Sequence, residues 1–179
     1  AFERSLAIKP EDATTLYNFG NALSGEGRFD LAAATYRRAI AANPTFGQAY
    51  ENLGNAESMR GDQAAALAAF RRALELSPAS PFLLMNLANT QFRAGAIAEA
   101  RASYEQALVH APYAAEILTN FGSFLFAQGD FAAAAGVFER IRAPAPARAL
   151  VALAASYQRL GRMADARATQ ATAERLYPR

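Results

Sequence analysis

Apolar positions in this chain repeat on two scales. Within a segment they fall three residues apart, in the pairs Leu16 and Phe19, Tyr50 and Leu53, Leu84 and Leu87, Leu118 and Phe121. That spacing puts both side chains on one helical face. Each pair then returns 34 residues further on. A fixed period of this length marks one supersecondary unit copied along an array. Set each proline of the series Pro44, Pro78 and Pro112 at position 32 of a unit. Position 8 then reads Gly20, Gly54, Ala88, Gly122, and position 20 reads Ala32, Ala66, Ala100, Ala134. Small residues there let two helix backbones approach closely. Position 15 reads Gly27, Gly61, Gly95, Gly129, where a left-handed turn after a helix is easily made. Position 24 reads Tyr36, Phe70, Tyr104, Phe138, rings that fill the space between neighbouring helices. Proline at 32 stops the second helix, having no N–H to donate. The pattern predicts helices over 13–26, 29–42, 47–60, 63–76, 81–94, 97–110, 115–128, 131–142, 147–160 and 163–176.

These columns resemble the tetratricopeptide repeat, a helix–turn–helix of 34 residues. The resemblance covers essentially the whole chain. It implies an all-α fold, a right-handed α-solenoid of helix–turn–helix units. One column departs from the family. Position 4, often Trp there, holds Leu16, Tyr50, Leu84, Leu118 and Leu150, apolar replacements that keep the packing.

The chain reads as a single array over 1–179, with repeats at 13–46, 47–80, 81–114, 115–146 and 147–179. Residues 1–12 match the end of a second helix, the remnant of a preceding repeat, so the sequence reads as starting inside an array. The fifth repeat is out of step. Pro144, not Pro146, lies 34 residues before Pro178, which leaves the fourth repeat two residues short near Arg140–Pro146 and predicts a shortened second helix there. In the last helix Gln170 replaces the position-24 aromatic, as suits an array end that faces solvent.

Composition narrows the chemistry. There is no cysteine, which excludes disulfides and thiolate zinc sites, and His110 alone cannot build a His/Cys metal cluster. Ser24-Gly25-Glu26-Gly27 fits neither phosphate-binding glycine motif and reads as an inter-helix turn. No carboxylates converge as an acid–base pair, so the chain is expected to be no enzyme and to need no cofactor or metal. No apolar run is long enough to span a membrane, and no nucleic-acid partner is expected. Lys9 is the only lysine, a bias that suggests a bacterial source. The compartment is left open between cytoplasm and periplasm. Net charge is +2, but residues 139–179 hold 8 arginines against 3 acidic residues. That basic segment is expected to be a solvated surface; a contact for an acidic partner, lipid headgroups or RNA is the alternative.

In tetratricopeptide arrays the first helices line a concave surface, so the resemblance places ligand contacts at positions 2, 5, 6, 9, 12 and 13. Position 6 reads Asn18, Asn52, Asn86, Asn120, and position 9 reads Asn21, Asn55, Asn89, then Ser123. Asparagine is a modest helix former, so two repeated columns of it ask for a reason. A side-chain amide offers a donor and an acceptor together, matching one backbone N–H and C=O of an extended peptide. The ladder is similar to that of the repeat arrays of protein O-GlcNAc transferases. Bonds between neighbouring helices are the other use of the same columns. Apolar candidates for anchoring a peptide are Tyr17, Phe82, Met85, Phe92 and Phe126, with Arg93 beside them. The two-carboxylate clamp of chaperone-tail binders is missing, since position 5 holds no lysine.

The expected function is a non-catalytic scaffold that binds an extended peptide or a segment of a protein partner in its groove. Alternatives are a substrate-recruiting arm of a larger glycosyltransferase- or sulfotransferase-like enzyme, an envelope or pilus assembly factor, and self-association.

Overall fold

Asp12 starts the first helix: its Oδ2 accepts a hydrogen bond from the Thr15 amide at 2.7 Å. A free helix N-terminus leaves N–H groups without partners, and a short acidic side chain satisfies one of them. Asp62 and Asp130 do the same for later helices, accepting from Ala65 and Ala133. A computed structural model describes residues 12–178, and all regular structure among them is helical. The remnant expected at 1–12 lies outside the described residues except for Asp12. The helices are α1 Ala13–Gly25, α2 Phe29–Ala42, α3 Gly47–Arg60, α4 Gln63–Leu76, α5 Pro81–Arg93, α6 Ile97–His110, α7 Ala115–Ala127, α8 Phe131–Glu139, α9 Ala147–Arg159 and α10 Met163–Leu176. The fold is an α-solenoid of helix–turn–helix units.

Nine helices end within one residue of their predicted positions. The exception is α8, which stops at Glu139, three residues before the predicted 142. After it Ile141 turns into the interior, and Arg140 Nη2 reaches back to the Pro112 carbonyl at 2.9 Å. The segment before α9 contains a cis Ala143–Pro144 bond. Gly27, Gly61, Gly95, Gly129 and Gly161 all have φ between 74° and 86°, the left-handed region that suits glycine at the turn within each repeat.

The chain divides into two compact units, residues 1–100 and 101–179. In the first, each position-24 ring packs directly against a glycine. A Cβ on Gly20 would stand 2.5 Å from the Tyr36 ring, and one on Gly54 2.7 Å from the Phe70 ring. No side chain fits there, which is why the column is small. Tyr36 packs with Leu23, Ala32, Leu53 and Ala56, so the first helix of the second repeat covers the first repeat. Leu83 and Leu87 of α5 cover Phe70 and Ala73 in the same way. Each of these rings is almost fully buried, which stabilises the fold by roughly 1.5–3 kcal/mol apiece.

In the second unit a Cβ on Gly122 would stand 2.6 Å from the Phe138 ring. Tyr104 stacks on Phe121 with centroids 5.2 Å apart and tilts against Phe124 at 5.5 Å. Ala135, Tyr157 and Ala166 form a separate cluster joining the fourth and fifth repeats.

Candidate functional site

In the unit 1–100 the asparagine columns divide by what stands beside them. Asn21 Oδ1 accepts from two donors, the Tyr36 hydroxyl at 2.8 Å and Asn52 Nδ2 at 2.7 Å. Asn52 Nδ2 also reaches the Tyr17 hydroxyl at 3.2 Å. This network spans α1, α2 and α3, and it anchors the ladder to the core, because Tyr36 is 1% exposed. Burial, with Tyr17 close by, pushes the Tyr36 hydroxyl up to about 12. It therefore stays protonated and remains a donor at any physiological pH.

Asn18, Asn55 and Asn86 have side chains with no partner among the described residues. Asn18 is exposed, and the other two are partly so. A shallow pocket of about 220 Å³ opens over this part of the face, lined by Asn21, Ser24, Gly25, Tyr36, Asn52 and Asn55. Polar and apolar surface line it in about equal parts. Asn21 and Asn55 occupy the same column, yet one is committed and the other free. The difference lies at position 24: Tyr36 brings a hydroxyl to Asn21, whereas Phe70 has none to bring. That signal was present in the sequence as the alternation of Tyr and Phe.

Asn89 is engaged in an interaction of its own. In the unit 101–179 Asn120 Nδ2 donates to the Glu116 carbonyl one turn back, at 2.9 Å, so its amide is turned onto its own helix. Ser123, which follows the asparagines in column 9, likewise donates to the Thr119 carbonyl at 2.8 Å.

The apolar candidates also separate. Tyr17 packs on Phe46 with centroids 4.9 Å apart and is partly exposed. Phe82 is 46% exposed. Phe92 is partly exposed, and the exposed Arg93 donates from Nη1 to Ser58 Oγ at 2.7 Å. Phe126 makes an edge contact with Phe131 at 5.1 Å. Met85 is only 4% exposed, so it offers no surface to a ligand. An apolar residue at a groove column is drawn inward wherever the neighbouring packing leaves room.

Sequence reasoning did not single out Glu57. This carboxylate is fully buried and pairs with Arg37 and Arg60, while Arg60 Nε also bonds Asp30 Oδ1 at 2.5 Å. A buried carboxylate is tolerated only when paired in this way. The i,i+3 spacing to Arg60 was visible in the sequence, but Arg37 comes from another helix and the burial of the pair was not marked in its column. Glu51, at position 5 of α3, is different. It is half-buried, has no partner among the described residues, and burial raises its pKa above the ordinary value.

No group of three or more metal-ligating side chains gathers among the described residues. None of their helices is long and apolar enough to cross a membrane.

Models of the tetratricopeptide repeat match residues 17–81, 85–148 and 147–169. The chain belongs to the tetratricopeptide repeat family. No curated protein matches it in sequence. Among solved structures it is similar to YrrB, a TPR protein with an unusual peptide-binding site, at 22% identity over 99% of this chain and 93% of that one, with a TM-score of 0.72. It is also similar to PilW, a widely conserved type IV pilus biogenesis factor, at 18% identity over 99% and 83% of the two chains, with a TM-score of 0.88. A third is PilF of Pseudomonas aeruginosa, at 18% identity over 99% and 82%, with a TM-score of 0.81. At these identities the likeness is one of fold.

Proposed function

We propose that this chain is a protein-interaction scaffold, without chemistry of its own, that holds an extended peptide on its first-helix face. The observation that carries the reading is the division of the asparagine columns. Asn21 and Asn52 fix the face to the core, and Asn18, Asn55 and Asn86 are left with both amide functions unused. A free amide on a polar, partly dry surface is a ready partner for a peptide group. Tyr17, Phe82 and Phe92 supply apolar contacts for side chains that alternate along the bound strand. Binding by backbone amides makes the site tolerant of peptide sequence. The YrrB fold, which carries a peptide-binding site, is in keeping with this reading.

The test uses a display library of random peptides selected on the full chain, followed by calorimetry of the selected binders. Asn55→Ala with Asn86→Ala should weaken them at unchanged helicity. Methylating the peptide's backbone nitrogens should do the same. Binders that tolerate both changes would show that the amides are not the contact.

A further inference from the structure

Two successive pairs of first helices in the unit 1–100 present the same columns and use them differently. Between α1 and α3 the columns are closed. Asn52 Nδ2 donates to Asn21 Oδ1 at 2.7 Å and to the Tyr17 hydroxyl at 3.2 Å, and the Tyr36 hydroxyl donates to Asn21 as well. Exactly 34 residues on, Glu51 takes the column of Tyr17, Asn55 that of Asn21, Asn86 that of Asn52 and Phe70 that of Tyr36. Helices α3 and α5 are in contact, as α1 and α3 are. Repeat equivalence therefore brings Asn86 across from Glu51 and Asn55, which stand one turn apart on α3. None of the three side chains has a hydrogen-bond or ion-pair partner among the described residues.

A half-buried carboxylate without a counter-charge asks for a reason. Glu57, on the same helix, is fully buried and is held by Arg37 and Arg60. Glu51 has no such cation to draw on. Helix α1 carries no charged residue, and the basic residues of α3 and α5 are Arg60 and Arg93 alone, each in the last turn. Arg60 is taken up by Glu57 and Asp30. Arg93 donates to Ser58, which lies two turns, about 10 Å, along α3 from Glu51. Burial raises the Glu51 pKa, so the free protein carries this charge at a cost. A cation brought by a ligand removes that cost.

The acceptors say what cation fits. Glu51 offers two carboxylate oxygens, and the Asn55 and Asn86 amides offer one oxygen each. Several acceptors around a negative charge suit a positive group with several N–H donors, a guanidinium or an ammonium. Phe82, 46% exposed, stands one turn before Asn86 on α5 and offers an apolar surface to the aliphatic stem of such a side chain.

Resting on the peptide-binding reading, we propose that Glu51, with Asn55 and Asn86, forms a subsite for the side chain of an arginine or lysine in the bound peptide. This subsite sets the one sequence requirement of a face that is otherwise tolerant. The Nδ2 groups of the two asparagines remain available to peptide carbonyls, so the same pair serves backbone and side chain.

The probe is the random peptide library, selected in parallel on the full chain, on Glu51→Gln and on Glu51→Lys, with helicity checked for each. The wild type should enrich arginine or lysine at one fixed position. Glu51→Gln should lose that preference, and Glu51→Lys should replace it with aspartate or glutamate. One peptide selected on the wild type is then remade with its basic residue neutralised, citrulline for arginine or norleucine for lysine. Calorimetry should show the neutral peptide bound roughly tenfold more weakly by the wild type and about equally by Glu51→Gln. Binders that weaken with Asn55→Ala and Asn86→Ala but show no basic preference would overturn the subsite and leave the peptide face standing. So would a neutralisation loss of the same size on both proteins. Binders indifferent to the two asparagines, or no binders at all, would overturn the peptide face and the subsite with it.

Discussion

Replacing Asn21 by alanine tests how firmly the first-helix face is joined to the core. The Asn21 carbonyl oxygen accepts from Tyr36 and Asn52. Losing both bonds costs about 0.5–1.5 kcal/mol each, and a buried phenol left without an acceptor costs about 1–3 kcal/mol. Two effects reduce that total. The pocket of about 220 Å³ opens onto the same atoms and has room for water to replace part of the lost bonding. Alanine is also the better helix former, by roughly half a kcal/mol. The balance is a net loss of about 2 kcal/mol. Tyr36→Phe removes the stranded hydroxyl, so in the Asn21→Ala background it should cost about 1 kcal/mol less than it does alone. Urea unfolding of the wild type, both single variants and the double variant measures this coupling. Strictly additive effects, or an Asn21→Ala variant stabilised by helix propensity alone, would refute the network.

Gly54→Ala should be destabilising, by about 1 kcal/mol. Helix propensity gains about 1 kcal/mol, but the new Cβ would stand 2.7 Å from the Phe70 ring, and overpacking costs about 1–3 kcal/mol. In a Phe70→Leu background the same change should become stabilising; an unchanged sign would show that the ring is not what excludes the side chain. Glu51→Gln should raise the melting temperature at neutral pH and leave it unchanged at pH 4. Burial raises the carboxyl's pKa above its ordinary 4.5, so its favourable contribution is complete below that value and is lost as pH rises through the folded-state value. Equal melting temperatures of the two proteins across the range would show that the carboxylate is solvated after all.

Much of this fold was legible because the period leaves few choices. A glycine with positive φ after each first helix and a proline after most second helices fixed the helix ends to one residue. The end of α8 was misplaced because a two-residue deficit shows how many residues are missing, not where the last hydrogen-bonded turn closes. The site was legible as columns and not as roles. A column gives the side of the helix a residue stands on. It does not give depth, and Met85 lies buried where Phe82, on the same helix, is exposed. It does not give partners either, so Asn21 and Asn55 differ through a hydroxyl contributed by another helix.

The central claim is that the residue at position 24 decides whether the position-9 asparagine of the first two repeats is free to bind. Phe70→Tyr tests it with a single oxygen atom. The new hydroxyl should bond Asn55 as Tyr36 bonds Asn21. Calorimetry of a library-selected peptide should then show affinity lowered roughly two- to tenfold, the worth of one backbone hydrogen bond. Stability in urea should hold or rise. Unchanged affinity with Asn55 bonded to the new hydroxyl would contradict the account.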